Sequence, residues 1–220
     1  DGDSVAFLSK RGDDQSQQIY VIGIDGGEAR RVTQADRESL SSIDGWSSDG
    51  KRLLVTVSVP FAEDERDDPG QPEGERPVVA RIMPYKQDGS GSIVGKRKHL
   101  RAVDVDTGAF SNITDGDYDV SAARWSSDGK RLAYVRSRGD TQRHLRDLWI
   151  ADADGGGARR VTRNLASVEA PQWSPDGRSI AFGGSRTAGD SLSHLWVLDV
   201  DGSGVDGSDP RMPAGEDLQL

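Results

Sequence analysis

The sequence predicts an all-β protein built from a repeated unit of four short antiparallel strands. The first observation is a motif of Trp, Ser, any residue, Asp and Gly, then a basic residue and an apolar run. Its copies begin at Trp46, Trp125 and Trp173, and the chain opens inside a further copy at Asp1. The second observation is the spacing, because Trp125 and Trp173 are 48 residues apart and so are Asp1 and Asp49. Self-similarity at one period predicts a repeat architecture.

A second motif follows each copy of the first, and residues 148–155 are an example: an apolar strand that ends in an Asp-Gly turn. Each unit is therefore predicted to have a strand ending at the Trp, an Asp-Gly turn, a second strand, a variable loop, a third strand, another turn and a short fourth strand ending in Val-Thr. Asp and Gly supply the backbone bonds and the positive φ of tight hairpins. The strands are apolar on successive residues, which predicts that both faces are buried. This pattern is typical of β-propeller blades.

We predict one partial β-propeller domain over residues 1–220, with about four antiparallel four-stranded blades. The blades are expected at about 1–33, 41–114, 120–162 and 168–202, and 203–220 is expected to be a loop or the start of a next blade. The first blade lacks its leading strand and the fourth lacks its last. Because an open array leaves bare strand edges, we expect these blades to be part of a larger propeller.

The composition argues against several functional classes. The net charge is −9, from 37 acidic and 28 basic side chains, whereas nucleic-acid binding needs a basic face. There is no cysteine, which is compatible with a cytoplasmic protein and does not exclude a periplasmic or secreted one. No apolar run approaches the roughly 18 residues that cross a bilayer. We therefore expect neither nucleic acid nor membrane as a partner.

The second unit carries an insertion at about 59–98. Trp46 and Trp125 are 79 residues apart, so this unit is longer than the others by about 31 residues. Residues 61–76 are strongly acidic and residues 81–101 are basic. A solvated loop and a functional excursion from one blade both fit such a charge-segregated segment, and the sequence leaves the two interpretations open.

Histidine and tryptophan are the first candidates for chemistry. His99 and His194 occupy the same place, just before the third strand of their units, and His144 lies in the corresponding loop. A recurrent position favours a structural role over catalysis. The tryptophans also recur at two fixed positions, which favours packing between blades. The sequence has no Gly-x-Ser-x-Gly nucleophile elbow.

Two glycine-rich motifs also need an explanation. Residues 202–207 match Gly-x-Gly-x-x-Gly after a strand, but Pro210 and Pro213 prevent the helix that a dinucleotide site requires. Residues 199–204 resemble the start of a calcium loop, but its twelfth position is Pro210 rather than Glu. Structural turns are favoured, and we predict no catalytic residue, metal or cofactor in this chain.

The repeat resembles a known propeller type. Trp-Ser-Pro-Asp-Gly-Arg-Ser-Ile-Ala-Phe at 173–182, followed by Leu-Trp-Val-Leu-Asp-Val-Asp-Gly at 195–202, is similar to the TolB-type repeat. That repeat occurs in TolB and in the N-terminal propellers of the prolyl oligopeptidase family of serine peptidases. Arg-Ile-Met-Pro-Tyr-Lys-Gln-Asp-Gly-Ser-Gly at 81–91, with residues 99–119, resembles the acylaminoacyl-peptidase and dipeptidyl-peptidase-like branch.

The resemblance implies a propeller of seven or eight blades that precedes an α/β-hydrolase domain of the same protein and covers its active site. Short peptides are then the expected substrates of the whole protein, and a homo-oligomer is a further expectation. Arg81 and Tyr85 are the candidate substrate-channel residues, a cation to meet a peptide carboxylate and an aromatic ring to pack a side chain. The alternatives are a TolB-like protein-binding propeller with no enzymatic activity and a closed ring of four blades.

Overall fold

The computed structural model describes the backbone of most of the repeat array. The described residues are 2–34, 39–61, 86–87, 91–92, 96–139, 142–189, 193–200 and 210–213. Within these ranges the secondary structure is sixteen β-strands without any α-helix. Consequently no helix of the described ranges could span a membrane.

Four antiparallel sheets follow one another along the chain, and the strands of each sheet are in sequence order. The first blade has β1 (Ser4–Ser9), β2 (Gln18–Gly23) and β3 (Arg30–Arg31). The second has β4 (Ser39–Trp46), β5 (Arg52–Pro60), β8 (Lys96–Asp104) and β9 (Phe110–Asn112), and its insertion holds β6 (Lys86–Gln87) and β7 (Gly91–Ser92). The third has β10 (Val120–Trp125), β11 (Arg131–Ser137), β12 (Arg146–Asp152) and β13 (Arg159–Arg160). The fourth has β14 (Ser167–Trp173), β15 (Ser179–Ser185) and β16 (His194–Asp199).

The predicted propeller blades are confirmed, including the incomplete first and fourth sheets. The first strand of the second, third and fourth blades ends at the motif Trp, as predicted. The hydroxyl of Ser126 donates to the Asp128 carboxylate (2.6 Å) and accepts the N–H of Arg131 (3.0 Å). The Gly129 N–H closes the turn on the Ser126 carbonyl at 2.9 Å, and Gly129 has a φ of 69°. The same turn recurs at Ser47 and at Ser174.

The fourth strands are shorter than predicted. β3 ends at Arg31 and β13 at Arg160, before the Val-Thr pair. The ladder stops there because a threonine hydroxyl, rather than a backbone carbonyl, accepts the next N–H of the third strand. These bonds, each 2.9 Å long, join Ile19 to Thr33, Leu100 to Thr114 and Leu148 to Thr162.

The fourth blade has a one-residue substitute for its last strand. Arg211 pairs with Val197 through two backbone bonds of 2.8 and 2.9 Å. Ile150 and Arg159 form the corresponding pair in the third blade. Arg211 lies in the segment that we expected to be a loop or the start of a next blade, and its pairing with β16 places this residue at the outer edge of the fourth blade.

The core consists of three apolar clusters, and each lies between two consecutive blades. Successive residues of β11 alternate between neighbours, since Leu132 and Tyr134 face the second blade whereas Ala133 and Val135 face the fourth. Both faces of a middle blade are thus buried, as the continuous apolar runs predicted.

The two outward faces of the array are less covered. Val5 is 51% exposed, although its counterparts in the repeat, Leu53, Leu132 and Ile180, are completely buried. Leu195 is 40% exposed, whereas its counterpart Leu148 is completely buried. These faces therefore have the apolar character of a blade interface, and among the described residues no further blade covers them.

The insertion is shorter than predicted. β5 and β8 stay paired up to Pro60 and Lys96, so both ends of the expected 59–98 insertion belong to strands. Arg97 lies within this extended pairing, where its side chain is buried and donates to Asp117. A small antiparallel hairpin, β6 with β7, lies within the insertion, and the charge pattern did not predict it.

Candidate functional site

The first strands of the second, third and fourth blades lie side by side, as strands do around the central channel of a propeller. β10 contacts β4 on one side and β14 on the other. Because each of these strands is at one edge of its sheet, the contacts of β10 with β4 and with β14 bring the three edges next to one another. We call β4, β10 and β14 the inner strands. Polar side chains on them are candidates for contact with a ligand on the axis.

Two inner strands contain a bulge with a strained alanine. The pairing of β10 with β11 shifts between Ser121 and Arg124, and Ala122 has a φ of 50°. β14 has the same irregularity, with Ala170 at a φ of 46°. A non-glycine residue in this left-handed region costs roughly 1–2 kcal/mol. Bulges of this kind redirect side chains and are common beside functional sites.

The bulge of β10 brings Arg124 against the second blade. The Arg124 Nη1 atom donates to the Asp44 carbonyl on β4 and to the Ala123 carbonyl, each at 2.7 Å. The Trp173 indole N–H in turn donates to the Arg124 carbonyl at 3.2 Å. One residue of the middle inner strand thus bonds to both neighbouring blades.

Asp44 lies at the same contact between β4 and β10, which we call the seam of these two strands. Its carboxylate accepts a 2.7 Å hydrogen bond from the Thr56 hydroxyl. Burial raises the pKa of Asp44, and the Thr56 hydroxyl and the positive charge of Arg124 offset only part of that effect. The seam between β4 and β10 therefore carries one fixed cation and one carboxyl group that is costly to ionise.

A second charged cluster lies where the insertion leaves the second blade, at the ends of β5 and β8. We call this place the root of the insertion. Arg97 Nε donates to Asp117 Oδ1 at 2.7 Å, and Arg143 of the third blade also donates to Asp117 Oδ1. Both arginine side chains are buried, at 1% and 6% exposure. Although burial opposes it, these two hydrogen bonds keep the pKa of Asp117 below its usual value. Phe61, the residue after β5, stacks on Arg97 with its ring centroid 4.2 Å from the guanidinium carbon. The cluster therefore ties β8 and the end of β5 to the third blade.

His99 belongs to a recurring polar position rather than to a reactive cluster. Its Nε2 faces the Gly116 carbonyl at 3.0 Å and therefore carries the proton, while its Nδ1 faces the Thr114 hydroxyl at 3.2 Å. Burial lowers the pKa of His99. Gln18 and Asp147 occupy the same repeat position and also contact the threonine of their blades. The recurrence explains this histidine without catalysis.

The predicted substrate-channel residues, Arg81 and Tyr85, lie outside the described residues.

His144 is exposed, and His194 begins β16 with its Nδ1 atom buried and without a partner in the described ranges. Across the residues that the structure describes, no group of three His, Cys, Asp or Glu side chains could hold a metal ion. The Asp152–Gly155 turn is closed by a 2.9 Å backbone bond.

The tryptophans pack between blades. Trp125 and Trp149 lie against the cluster of the second and third blades, and Trp173 and Trp196 against that of the third and fourth. The Arg131 guanidinium carbon lies 4.8 Å from the Trp173 ring centroid, so an arginine of one blade covers the tryptophan of the next.

Sequence reasoning missed Arg124, Asp44 and Asp117. Arg124 and Asp44 are 80 positions apart in the sequence, and their contact depends on how two blades meet. One signal in the sequence could have identified Arg124, because this charged residue interrupts the strand directly before the motif residue Trp125.

The fold defined by these sheets is that of β-propeller blades, and comparisons with known proteins agree. No family model matches the sequence. The uncharacterized peptidase YuxL of Bacillus subtilis is 34% identical over 143 residues, which are 64% of this chain and 21% of that protein. This chain therefore spans about a fifth of that relative's length.

Solved structures show the same fold. The acylaminoacyl peptidase of Pyrococcus horikoshii superimposes with a TM-score of 0.64 at 18% identity, over 93% of this chain and 30% of that one. TolB of Acinetobacter baumannii superimposes with a TM-score of 0.55 at 16% identity, over 96% of this chain and 43% of that one. The similarity thus includes propellers of peptidases and of TolB.

Proposed function

We propose that this chain is a non-catalytic propeller segment of a serine peptidase of the prolyl oligopeptidase family, of the acylaminoacyl-peptidase type, that hydrolyses short peptides. The observation that carries the proposal is the 34% identity with a peptidase over 143 residues. The fold similarity to an acylaminoacyl peptidase supports it. In this proposal the propeller controls substrate access to an α/β-hydrolase domain of the same protein, where a serine would attack the peptide carbonyl.

The exposed outer faces support the larger propeller. Val5 and Leu195 occupy repeat positions that are fully buried at the interior interfaces, so a further blade on either face would bury apolar surface. Cytoplasmic location and homo-oligomerisation stay predictions.

Arg81 and Tyr85 are proposed to contact the substrate from the insertion. The support is the charge segregation of the segment and the anchoring of its root by Arg97 and Asp117. A cation suits a peptide carboxylate and an aromatic ring suits an apolar side chain.

The test is peptide hydrolysis by the full-length protein. We expect cleavage of peptides of a few residues, slow cleavage of long unfolded chains, and labelling by a serine-reactive fluorophosphonate probe. Arg81→Ala should lower kcat/KM, with the exposed Lys98→Ala as the matched control. Unchanged kinetics of Arg81→Ala on all peptide lengths would remove Arg81 from the proposal. Absence of both hydrolysis and probe labelling would overturn the peptidase assignment.

The second candidate is a TolB-like binding propeller without enzymatic activity, which the similarity to A. baumannii TolB favours. The gene sequence beyond Leu220 distinguishes this candidate from the peptidase. A Gly-x-Ser-x-Gly motif within a hydrolase domain supports the peptidase, and its absence over the next few hundred residues supports the binding propeller.

A further inference from the structure

Arg124 is held by main-chain carbonyls instead of by a carboxylate. Its Nη1 atom has two carbonyl partners at 2.7 Å, Asp44 on β4 and Ala123 on β10. Other arginines of the described residues, such as Arg31, Arg97 and Arg138, pair with aspartate side chains at 2.7–2.8 Å. In the part of the chain that the structure describes, no carboxylate is within ion-pair distance of Arg124.

The rest of the Arg124 guanidinium is available. Within the described ranges its Nε and Nη2 atoms make no hydrogen bond, and neither is among the buried unpartnered atoms. The side chain is half-buried on an inner strand. One edge of a planar fork is therefore fixed by the protein, and the other is open at the seam of two inner strands.

Arg124 lies at the end of a strained bulge. Ala122, two residues earlier, has a φ of 50° within the bulge that ends at Arg124. The equivalent bulge of β14 ends at Gln172, an uncharged residue. The two bulges have the same backbone shape, but only the bulge of the third blade ends at an arginine.

We propose that Arg124 binds a carboxylate group of a peptide that reaches the inner strands. The group is either a C-terminal carboxylate or an Asp or Glu side chain. A guanidinium with one fixed edge presents two parallel N–H donors to a carboxylate at little entropic cost. This inference rests on the proposed function for the identity of the ligand as a peptide.

Asp44 should weaken the binding of a carboxylate to Arg124. Its carboxylate lies at the same seam and interacts electrostatically with Arg124. An ionised Asp44 repels an incoming carboxylate, so Asp44→Asn should strengthen binding. The Thr56 hydroxyl can still donate to the asparagine oxygen, which keeps the local hydrogen bond.

The experiment measures binding without turnover. Fluorescence anisotropy of the full-length protein, treated beforehand with the serine-reactive fluorophosphonate so that it cannot cleave the probes, compares three fluorescein-labelled tetrapeptides: an Ala-rich free acid, its C-terminal amide, and an amidated peptide with one Glu. We expect the acid, the Glu peptide or both to bind at least about tenfold more tightly than the neutral amide, the factor that one charge-assisted hydrogen bond gives. Which of them binds identifies the source of the carboxylate.

The variants separate binding from folding. Arg124→Gln should abolish the preference, and Arg124→Lys should keep only part of it. Arg30→Gln is the matched control, because Arg30 donates to the Val105 carbonyl of the neighbouring blade at 3.0 Å but lies on an outer strand. Asp44→Asn should widen the preference. Each variant is first checked by its thermal unfolding midpoint.

Equal affinity of the wild-type protein for all three peptides would overturn the inference, as would an Arg124→Gln variant that keeps the preference while folded. These outcomes differ from failure of the proposed function. A protein that binds carboxylates but hydrolyses no peptide contradicts only the peptidase assignment, whereas hydrolysis without carboxylate preference contradicts only the role of Arg124.

Discussion

Gly155 lies against the carbonyl oxygen of Ile113 so closely that a Cβ atom at position 155 would overlap it. Gly108 has the same relation to the Val32 carbonyl. In both cases the turn between the third and fourth strands of one blade touches the end of the outer strand of the preceding blade. Glycine is required because backbone meets backbone, in addition to the positive φ.

Gly155→Ala should be far more destabilising than the same change at Gly26. Both glycines occupy the same turn position, with φ of 93° and 91°, but no atom lies within 4 Å of a Cβ at Gly26. Gly26→Ala should therefore cost only the conformational penalty of about 1–2 kcal/mol. Gly155→Ala adds overpacking of about 1–3 kcal/mol. Urea unfolding of the two variants checks the difference, and equal losses would show that the blades can separate at this contact.

Arg131 should stabilise the contact of the third and fourth blades. Its Nη2 donates to the Gly177 carbonyl at 2.7 Å, and its guanidinium covers the Trp173 ring. Arg131→Ala should lower the free energy of unfolding by about 1–2 kcal/mol and shift the tryptophan emission. Arg131→Lys keeps the charge without the planar fork, so its loss should be smaller. The exposed Arg178→Ala is the control, and a similar effect there would argue against the stacking.

The turns could be predicted from sequence because their chemistry is local. Ser126, Asp128 and Gly129 lie within four positions of one another and close their own hydrogen bonds. The strand ends at the tryptophans followed from the same motif. These parts of the fold need no knowledge of the neighbouring blades.

The bulges and charged clusters could not be predicted, because they depend on contacts between blades. Alanine carries no local preference for a positive φ, so the conformation of Ala122 follows from the packing of Ala123 and Trp125 against the second blade. Likewise Asp117 meets Arg97 and Arg143 across separations of 20 and 26 residues. The one-residue pairing of Arg211 was missed because Arg211 follows its partner Val197 by 14 positions and no strand-like run surrounds it.

Asp117→Asn should destabilise the root of the insertion. The change leaves the buried guanidinium groups of Arg97 and Arg143 without their shared anion. A fully buried pair would cost about 3–5 kcal/mol, and we expect about 1–3 because Asp117 is 45% exposed. Asp115→Asn in the same connection is the control, since its Oδ1 accepts only a local N–H. Equal urea midpoints for both variants would contradict a structural role of the cluster.

His99 should make the protein sensitive to mild acid. Burial lowers its pKa, so the unfolded chain binds the proton first as the pH falls. The stabilising contribution is present above the unfolded value of about 6.5 and is lost as the pH falls from there towards the folded pKa. Urea unfolding at a series of pH values should show a smaller decline for His99→Gln than for wild type. The exposed His144→Gln should keep the wild-type slope, and a His99→Gln profile parallel to wild type would refute the assignment.

Ser126→Ala should raise the pKa of Asp128 and leave Asp49 and Asp176 unchanged. The serine hydroxyl is the main cause of the low pKa of Asp128, followed by the Lys130 N–H. The other two aspartates keep their own serines, Ser47 and Ser174, and serve as controls in the same sample.

Carboxyl ¹³C titration by NMR measures all three groups. A lowered carboxyl pKa stabilises the fold above the unfolded value of about 3.9, and that contribution disappears as the pH falls through the folded pKa. The Ser126→Ala protein should therefore lose less stability on acidification in this range, although it starts lower because the N–H of Arg131 loses its acceptor. An unchanged pKa of Asp128 would mean that the turn backbone, rather than the hydroxyl, holds the charge.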